Sequence, residues 1–207
     1  MTPLIRILIS DDHPFMREGL AAVIEYKPDM TVVGQACNGY EAVALFHQHQ
    51  PDVTLMDLRM PELSGVEAIV AIHAKFPNAR IIVLTTYDGD EDIYRGLRAG
   101  AKGYILKDAE PDELLSAIRA VHSGQQYIPP AVGAKLAERM GSPELSDREL
   151  EVLRLMATGK SNLEISTALL IAEGTVKFHA KNILSKLGVG DRTQAMIVAL
   201  KRGIITL

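Results

Sequence analysis

Residues 4–122 alternate five times between a short apolar run and a longer segment whose apolar residues recur every three to four positions. Runs of that length, interleaved with helical spacing, predict a parallel sheet covered by helices. The strands fall near 5–9, 31–36, 53–57, 80–84 and 103–106. Between them, Met16/Leu20/Val23/Ile24, Ala42/Leu45/Phe46, Val66/Ile69/Val70, Ile93/Leu97 and Leu114/Leu115/Ile118/Val121 each make one apolar helical stripe.

The alternation stops at Ser123-Gly124-Gln125-Gln126-Tyr127-Ile128-Pro129-Pro130, where glycine and two prolines disfavour a continuing helix. A linker is expected over 123–142, with room for one short helix at 131–140. From 143 onward strand signals are absent, and helical patterns are separated by Gly159, Gly174, Gly188 and Gly190. Two capping boxes, Ser146-x-x-Glu149 and Ser161-x-x-Glu164, place helix starts near 147 and 162, because hydroxyl and carboxylate reciprocally satisfy free backbone amides. Further starts are expected near 173 and 192. The organisation is thus an α/β domain at 1–122, a linker at 123–142 and a small all-α domain at 143–207.

The length, 207 residues, suits two modest cores. The net charge of -4 conceals an asymmetry: residues 1–125 hold 18 Asp/Glu against 11 Lys/Arg, and residues 126–207 hold 8 against 11. A mildly basic C-terminal half fits a polyanionic partner or an ordinary solvated surface. The single cysteine, Cys37, excludes an internal disulfide, and no Cys/His cluster has zinc-ligand spacing. Cys37 is expected as a packed thiol. His13, His47, His49, His73 and His122 are scattered; His47 and His49 lie two apart on a helix and do not share a face, which argues against a metal role for them. The start, Met1-Thr2-Pro3-Leu4-Ile5-Arg6, lacks a signal-peptide layout, and no apolar run nears the roughly 18 residues that span a bilayer. A cytoplasmic location without a membrane partner is expected.

Chemistry concentrates where the strands end. The first strand runs into Asp11-Asp12, the third closes on Asp57, the fourth runs into Thr85 and the fifth into Lys107. Open α/β sheets bind ligands at the carboxyl ends of their strands. Three carboxylates packed there repel one another unless neutralised, and Mg2+ suits them, since it takes a few carboxylates and keeps waters for phosphate oxygens. Asp57 is then a candidate nucleophile toward a phosphoryl group, with Lys107 and the Thr85 hydroxyl compensating the equatorial oxygens.

Four stretches resemble the receiver domain of two-component response regulators: Asp11-Asp12-His13-Pro14, 57–65 from Asp57 through Met60-Pro61 to Gly65, Leu84-Thr85-Thr86, and 99–108 ending in Lys107-Asp108. The resemblance covers about 4–122. It implies a flavodoxin-like five-stranded sheet of order 2-1-3-4-5, Asp57 as phospho-acceptor for a sensor histidine kinase, and Lys107 on the phosphoryl group. It also implies Mg2+ held by Asp11, Asp12, Asp57 and the Arg59 backbone carbonyl, and a switch formed by Thr85 and Tyr104 with 85–107 as output surface. Thr86 stands where Ala or Gly is usual, which narrows access to Asp57, and Asp108 stands where Pro often follows the lysine.

On a helix over 173–187, at about 100° per residue, Val176, Ala180, Ile183, Leu184 and Leu187 form one buried stripe. The opposite face carries Phe178, Lys181, Asn182 and Ser185, with Lys177 on its flank. Preceded by a short helix at 162–169 and a turn at 170–172, this fits a helix-turn-helix whose second helix enters the major groove; a bundle with a solvated outer face fits the spacing as well. In the first case the lysines meet phosphates or guanine edges, and Asn182 and Phe178 read bases or a thymine methyl.

Leu145-Ser146-x-Arg148-Glu149, 159–165 from Gly159-Lys160-Ser161, Gly174-Thr175-Val176-Lys177-Phe178-His179, Lys186-Leu187-Gly188-Val189 and 191–195 resemble LuxR/FixJ-type DNA-binding domains over about 143–205. The resemblance implies DNA contacts from Thr175, Lys177 and Lys181. It implies a dimer surface on the final helix, with Arg192, Thr193, Met196, Ile197 and Leu200. Ala172 stands where Ser is usual, removing a hydroxyl cap for which Thr175 is a candidate substitute.

Together these features are similar to a transcriptional response regulator of the NarL/FixJ type, a phosphorylation-dependent DNA-binding protein that binds promoter DNA as a dimer, with RNA polymerase as a further possible partner. A DNA-binding protein with a vestigial receiver is disfavoured by the full set Asp11, Asp12, Asp57, Thr85 and Lys107. An aspartyl-phosphate hydrolase would want an Asp-x-Asp pair, and Asp57-Leu58-Arg59 lacks it. The expectation is therefore no enzyme beyond self-phosphorylation and self-dephosphorylation.

Overall fold

The computed structural model describes residues 3–86, 90–140, 143–202 and 204–205. Residues 87–89 of the expected output surface and 141–142 of the expected linker lie outside the described residues. The chain divides into two compact units, one of residues 1–88 and 93–134 and one built on 135–207.

The first unit runs β1 (Ile5–Ser10), α1 (Pro14–Glu25), β2 (Met30–Ala36), α2 (Gly39–His49), β3 (Val53–Met56), α3 (Gly65–Lys75), β4 (Ile81–Thr85), α4 (Asp90–Arg98), β5 (Gly103–Leu106) and α5 (Pro111–His122). All strand pairs are parallel and the order is β2-β1-β3-β4-β5. The chain order therefore reverses between β1 and β3, and that is the crevice where a doubly wound sheet leaves room for a ligand.

Successive side chains of each strand face opposite sides of the sheet. Ile5, Ile7 and Ile9 of β1, Val53 and Leu55 of β3, Ile82 and Leu84 of β4 and Ile105 of β5 pack under α1 and α5, against Leu20, Ile24, Leu114, Leu115, Ile118 and Val121. The alternate residues Leu8, Met56, Ile81, Val83 and Tyr104 are equally buried, so the strands read as continuous apolar runs. One predicted stripe is shifted. On α3 the buried face is Ala68, Ile69 and Ile72, and Val70 is more than half exposed, because it lies about 100° round the helix from Ile69.

Asp57 lies one residue past the end of β3, although its amide still donates to the Ser10 carbonyl at 2.8 Å. Thr85 is the last residue of β4 rather than the first beyond it. The expected linker also starts differently. Tyr127 forms an isolated parallel bridge with Gly103, its amide donating to the Lys102 carbonyl and its carbonyl accepting from the Tyr104 amide, so 127 extends the sheet beyond β5. The short helix expected inside the linker is α6 (Pro130–Met140).

The second unit contains α7 (Asp147–Ala157), α8 (Asn162–Leu169), α9 (Glu173–Leu187) and α10 (Arg192–Lys201). Both predicted capping boxes form with reciprocal bonds, Ser146 with Glu149 and Ser161 with Glu164. Val152, Leu153, Met156, Ile165, Val176, Ile183, Leu187, Ala195 and Ala199 make the core. Glu149 is buried and does more than cap: its Oε2 lies 2.7 Å from Lys186 Nζ, and the same ammonium donates to the Glu144 carbonyl. Burial alone would raise the Glu149 pKa, but the Lys186 and Ser146 hydrogen bonds outweigh it and hold the carboxyl below its ordinary value. Among the described residues no helix is long and apolar enough to cross a membrane.

Two stability predictions follow from this packing. A Cβ at Gly65 would fall on the Asp57 carbonyl oxygen. Gly65→Ala is therefore expected to lower the urea-unfolding stability of the first unit by about 1–3 kcal/mol, and an unchanged midpoint would contradict the close approach. Glu149→Gln should cost the second unit about 1–3 kcal/mol at neutral pH. A depressed carboxyl stabilises above the unfolded-state pKa of about 4.3 and loses that contribution as pH falls through the folded value, so the wild-type advantage over Glu149→Gln should vanish under acid.

Candidate functional site

β1 and β3 are adjacent, so their exits deliver Asp11, Asp12 and Asp57 to one place. Asp11 and Asp57 are buried, and Asp12 is half-buried. Lys107, one residue beyond β5, reaches across β4: its Nζ lies 2.8 Å from Asp57 Oδ2 and 2.6 Å from Asp11 Oδ2. The span is fixed by backbone, since the Lys107 amide donates to the Thr85 carbonyl at 2.9 Å. Asp57 Oδ1 accepts the Arg59 amide at 3.1 Å, which orients the carboxylate. Arg17 of α1 donates to the Asp11 carbonyl at 2.6 Å, clamping the turn after β1.

Burial pushes the Asp57 carboxyl above the ordinary aspartate range, against the opposing pull of Lys107 and the Arg59 amide. For Lys107 burial opposes the charge, yet the hydrogen bonds it donates to Asp11 and Asp57 outweigh it and hold the ammonium above the usual lysine value. Asp11 and Asp57 flank one ammonium and Asp12 stands beside them, so the site carries more carboxylates than cations.

That imbalance is what a divalent cation would correct. Ligating atoms of Asp11, Asp12, His13 and Asp57 all lie within 4.8 Å of one another. Asp11 Oδ2 is paired with Lys107 Nζ at 2.6 Å, and Asp12 Oδ1 lies 2.7 Å from His13 Nδ1. Clustered oxygen donors with an excess of negative charge fit a hard cation such as Mg2+. His13, part of the Asp11-Asp12-His13-Pro14 stretch, stands at the rim of this cluster.

Thr85 is buried at the end of β4, between the exits of β3 and β5. Tyr104, which the resemblance pairs with Thr85 as a switch, is wholly buried. It lies on the sheet face opposite Ile105.

In the second unit α8 ends at Leu169, Leu170 adopts a left-handed conformation (φ 53°), and α9 begins at Glu173 with no side-chain cap from Ala172. Val176, Ile183 and Leu187 are buried and Ala180 and Leu184 pack beside them. Thr175, Lys177, Phe178 and Lys181 are exposed, Phe178 by 61%, while Asn182 is half-buried. Lys177 is paired with Glu173 at 2.8 Å, an exposed i,i+4 contact that costs little to break. On α10, Thr193 and Ile197 are exposed, while Met196 and Leu200 are half-buried. Arg192 turns inward, donating to the Met156 and Lys160 carbonyls at 3.1 and 2.5 Å. It closes the end of α7, a task its sequence position did not reveal.

A buried acidic pocket on a 2-1-3-4-5 sheet, in one chain with a helical unit that exposes a basic-aromatic helix face, defines a class in which a receiver is coupled to a DNA-binding output. The sequence comparisons agree. The response regulator receiver domain matches residues 7–119 and the luxR family of bacterial regulatory proteins matches 143–199. The chain is 43% identical over 213 residues to the uncharacterized transcriptional regulatory protein YxjL of Bacillus subtilis, covering 97% of each. It is 40% identical over 206 residues to the response regulator protein VraR of Staphylococcus aureus, covering 97% of this chain and 99% of VraR. Among solved structures, RcsB from Salmonella enterica serovar Typhimurium, bound to promoter P1flhDC in the presence of the phosphomimetic BeF3-, aligns over 95% of this chain and 98% of its own, with a TM-score of 0.74 and 28% identity. The chain belongs to the LuxR-family two-component response regulators.

The geometry predicts opposite effects for two charge changes. Asp12→Asn should weaken Mg2+ binding at least about tenfold in calorimetric titration, whereas Lys107→Met, which removes a competing cation, should leave it equal or tighter. Equal weakening by both would contradict the charge balance described.

Proposed function

We propose that this chain is a phosphorylation-dependent transcriptional regulator that accepts phosphate from a sensor histidine kinase on Asp57 and binds promoter DNA as a homodimer. The observation that carries the reading is the buried contact of Asp57 with Lys107 beside Asp11 and Asp12. A nucleophilic oxygen, a fixed ammonium and a carboxylate cradle are the parts that in-line phosphoryl transfer requires. When bound, Mg2+ supplies neutralisation of phosphate oxygens; Asp11, Asp12, Asp57 and the Arg59 carbonyl would hold it.

In this reading Asp57 contributes the attacking oxygen, Lys107 the counter-charge to the phosphoryl group, and the Thr85 hydroxyl a hydrogen bond to it. Phe15, 91% exposed on α1 beside the pocket, offers an apolar contact for the kinase. Thr85 and Tyr104 act as the switch. Its signal has a short way out, since the Tyr104 amide is bonded to the Tyr127 carbonyl at the start of the linker.

Residues 1–122 form the receiver, 123–142 the linker and 143–207 the DNA-binding domain. Thr175, Lys177, Phe178, Lys181 and Asn182 face DNA, the lysines meeting phosphates or guanine edges. RcsB is described as dimers bound to DNA, and a matching dimer surface here uses α10, with Thr193 and Ile197 central and Met196 and Leu200 beside them. Arg192 supports that surface from within. The protein works in the cytoplasm, its catalysis confined to its own phosphorylation and dephosphorylation, with RNA polymerase as the downstream partner.

Acetyl phosphate with Mg2+ should increase promoter binding in a gel-shift assay, and Asp57→Asn should abolish the increase; stimulation that survives the substitution would sink the reading. Lys181→Ala should weaken binding to all sequences and reduce the salt dependence by about one counterion.

A further inference from the structure

We infer that Asn38 is a positioning residue for phosphorylation: from the turn after β2 its side-chain amide ties the Glu62 carboxylate of the loop that follows Asp57, and so steadies the Arg59 amide against the acceptor carboxylate. The inference rests on reading Asp57 as the phospho-acceptor, and goes beyond it in naming a residue outside the pocket on which that geometry depends.

The loop between β3 and α3 needs such a tie. Its Arg59 amide donates to Asp57 Oδ1 at 3.1 Å, and Ser10 Oγ donates to Met60 Sδ at 3.2 Å. Just beyond, the chain turns on Glu62 alone: the Leu63 amide donates to the Pro61 carbonyl at 2.8 Å and Glu62 takes φ 66°. A turn closed over one left-handed, non-glycine residue is a strained form that persists only where its surroundings hold it.

The β2–α2 turn supplies the hold. The Gly39 amide donates to the Leu63 carbonyl at 3.1 Å, and the approach is so close that a Cβ at Gly39 would fall on that oxygen. Asn38, only 8% exposed, donates from Nδ2 to Glu62 Oε1 at 3.4 Å.

The competing account is that Asn38 only caps α2. Its Oδ1 does accept the Glu41 amide, at 2.9 Å. That bond uses one end of the side chain, and the donor end faces Glu62. Aspartate caps a helix as well as asparagine does, but when ionised it has no proton to donate. Cap and tie can therefore be broken separately.

The test uses the full-length protein, with phosphorylation by acetyl phosphate and Mg2+ followed on a phosphate-affinity gel and the unfolding midpoint measured in parallel. Asn38→Asp, which sets two carboxylates face to face, should slow phosphorylation at least about threefold while leaving the midpoint nearly unchanged. Adding Glu62→Gln, so that the bond runs the other way, should restore most of the lost rate. Glu62→Gly removes the acceptor and relieves the left-handed strain, so it should slow phosphorylation while raising the midpoint. Unchanged rates in Asn38→Asp and Glu62→Gly, a double variant as slow as Asn38→Asp, or rates that fall only as the midpoint falls would overturn the positioning role and leave the phospho-acceptor reading standing. Wild-type protein that gains no phosphate on Asp57 would remove that reading, and this inference with it.

Discussion

The structure of the first unit is organised around an electrostatic debt at one sheet edge. Two buried aspartates share one lysine with a half-buried third beside them, and the low dielectric of the pocket makes the remaining negative charge costly. Such a cluster persists because the fold over-determines it. The Ser10 carbonyl holds the Asp57 amide, Arg17 holds the Asp11 carbonyl, and the Thr85 carbonyl holds the amide of Lys107. A side chain held in this way is preorganised for an incoming cation and phosphoryl group.

Sheet topology explains why the charges meet. Order 2-1-3-4-5 makes β1 and β3 neighbours at the point where winding reverses, so two strand exits 46 residues apart in sequence, Asp11 and Asp57, open into the same crevice. The same parallel sheet places Tyr104 on β5 next to the chain that leaves the unit. Its amide and the Tyr127 carbonyl share a hydrogen bond, so the strand nearest the lysine is also the strand to which the linker is tied.

The second unit meets a different demand, which is to hold one helix rigidly enough to present its outer face. Lys186 fastens α9 to the start of α7 through Glu149 and the Glu144 carbonyl, and Arg192 fastens α10 to the end of α7. These bonds satisfy carbonyls and a buried carboxylate that would otherwise be costly. The exposed face of α9 is thereby left with cations and one aromatic ring, and its own packing does not consume them.

Local rules made much of this legible in advance. The strands, the capped starts of α7 and α8, the apolar stripe of α9 and the four chemical groups at the strand ends depend on periodicity, capping and sequence order, which are short-range properties. What the chain could not disclose by spacing is mostly long-range. Val70 points outward because the α3 face is set by what α3 packs on, and Tyr127 joins β5 because an edge strand has free backbone groups to offer. Glu149 read as a cap and proved also to be an ion-pair partner 37 residues from Lys186. Arg192 read as surface and closes a helix end. Residue type and order were enough to specify which chemistry the chain carries. Only the tertiary fold decided which atoms share a pocket, because charge, burial and hydrogen bonding act between groups that the backbone brings together from distant positions.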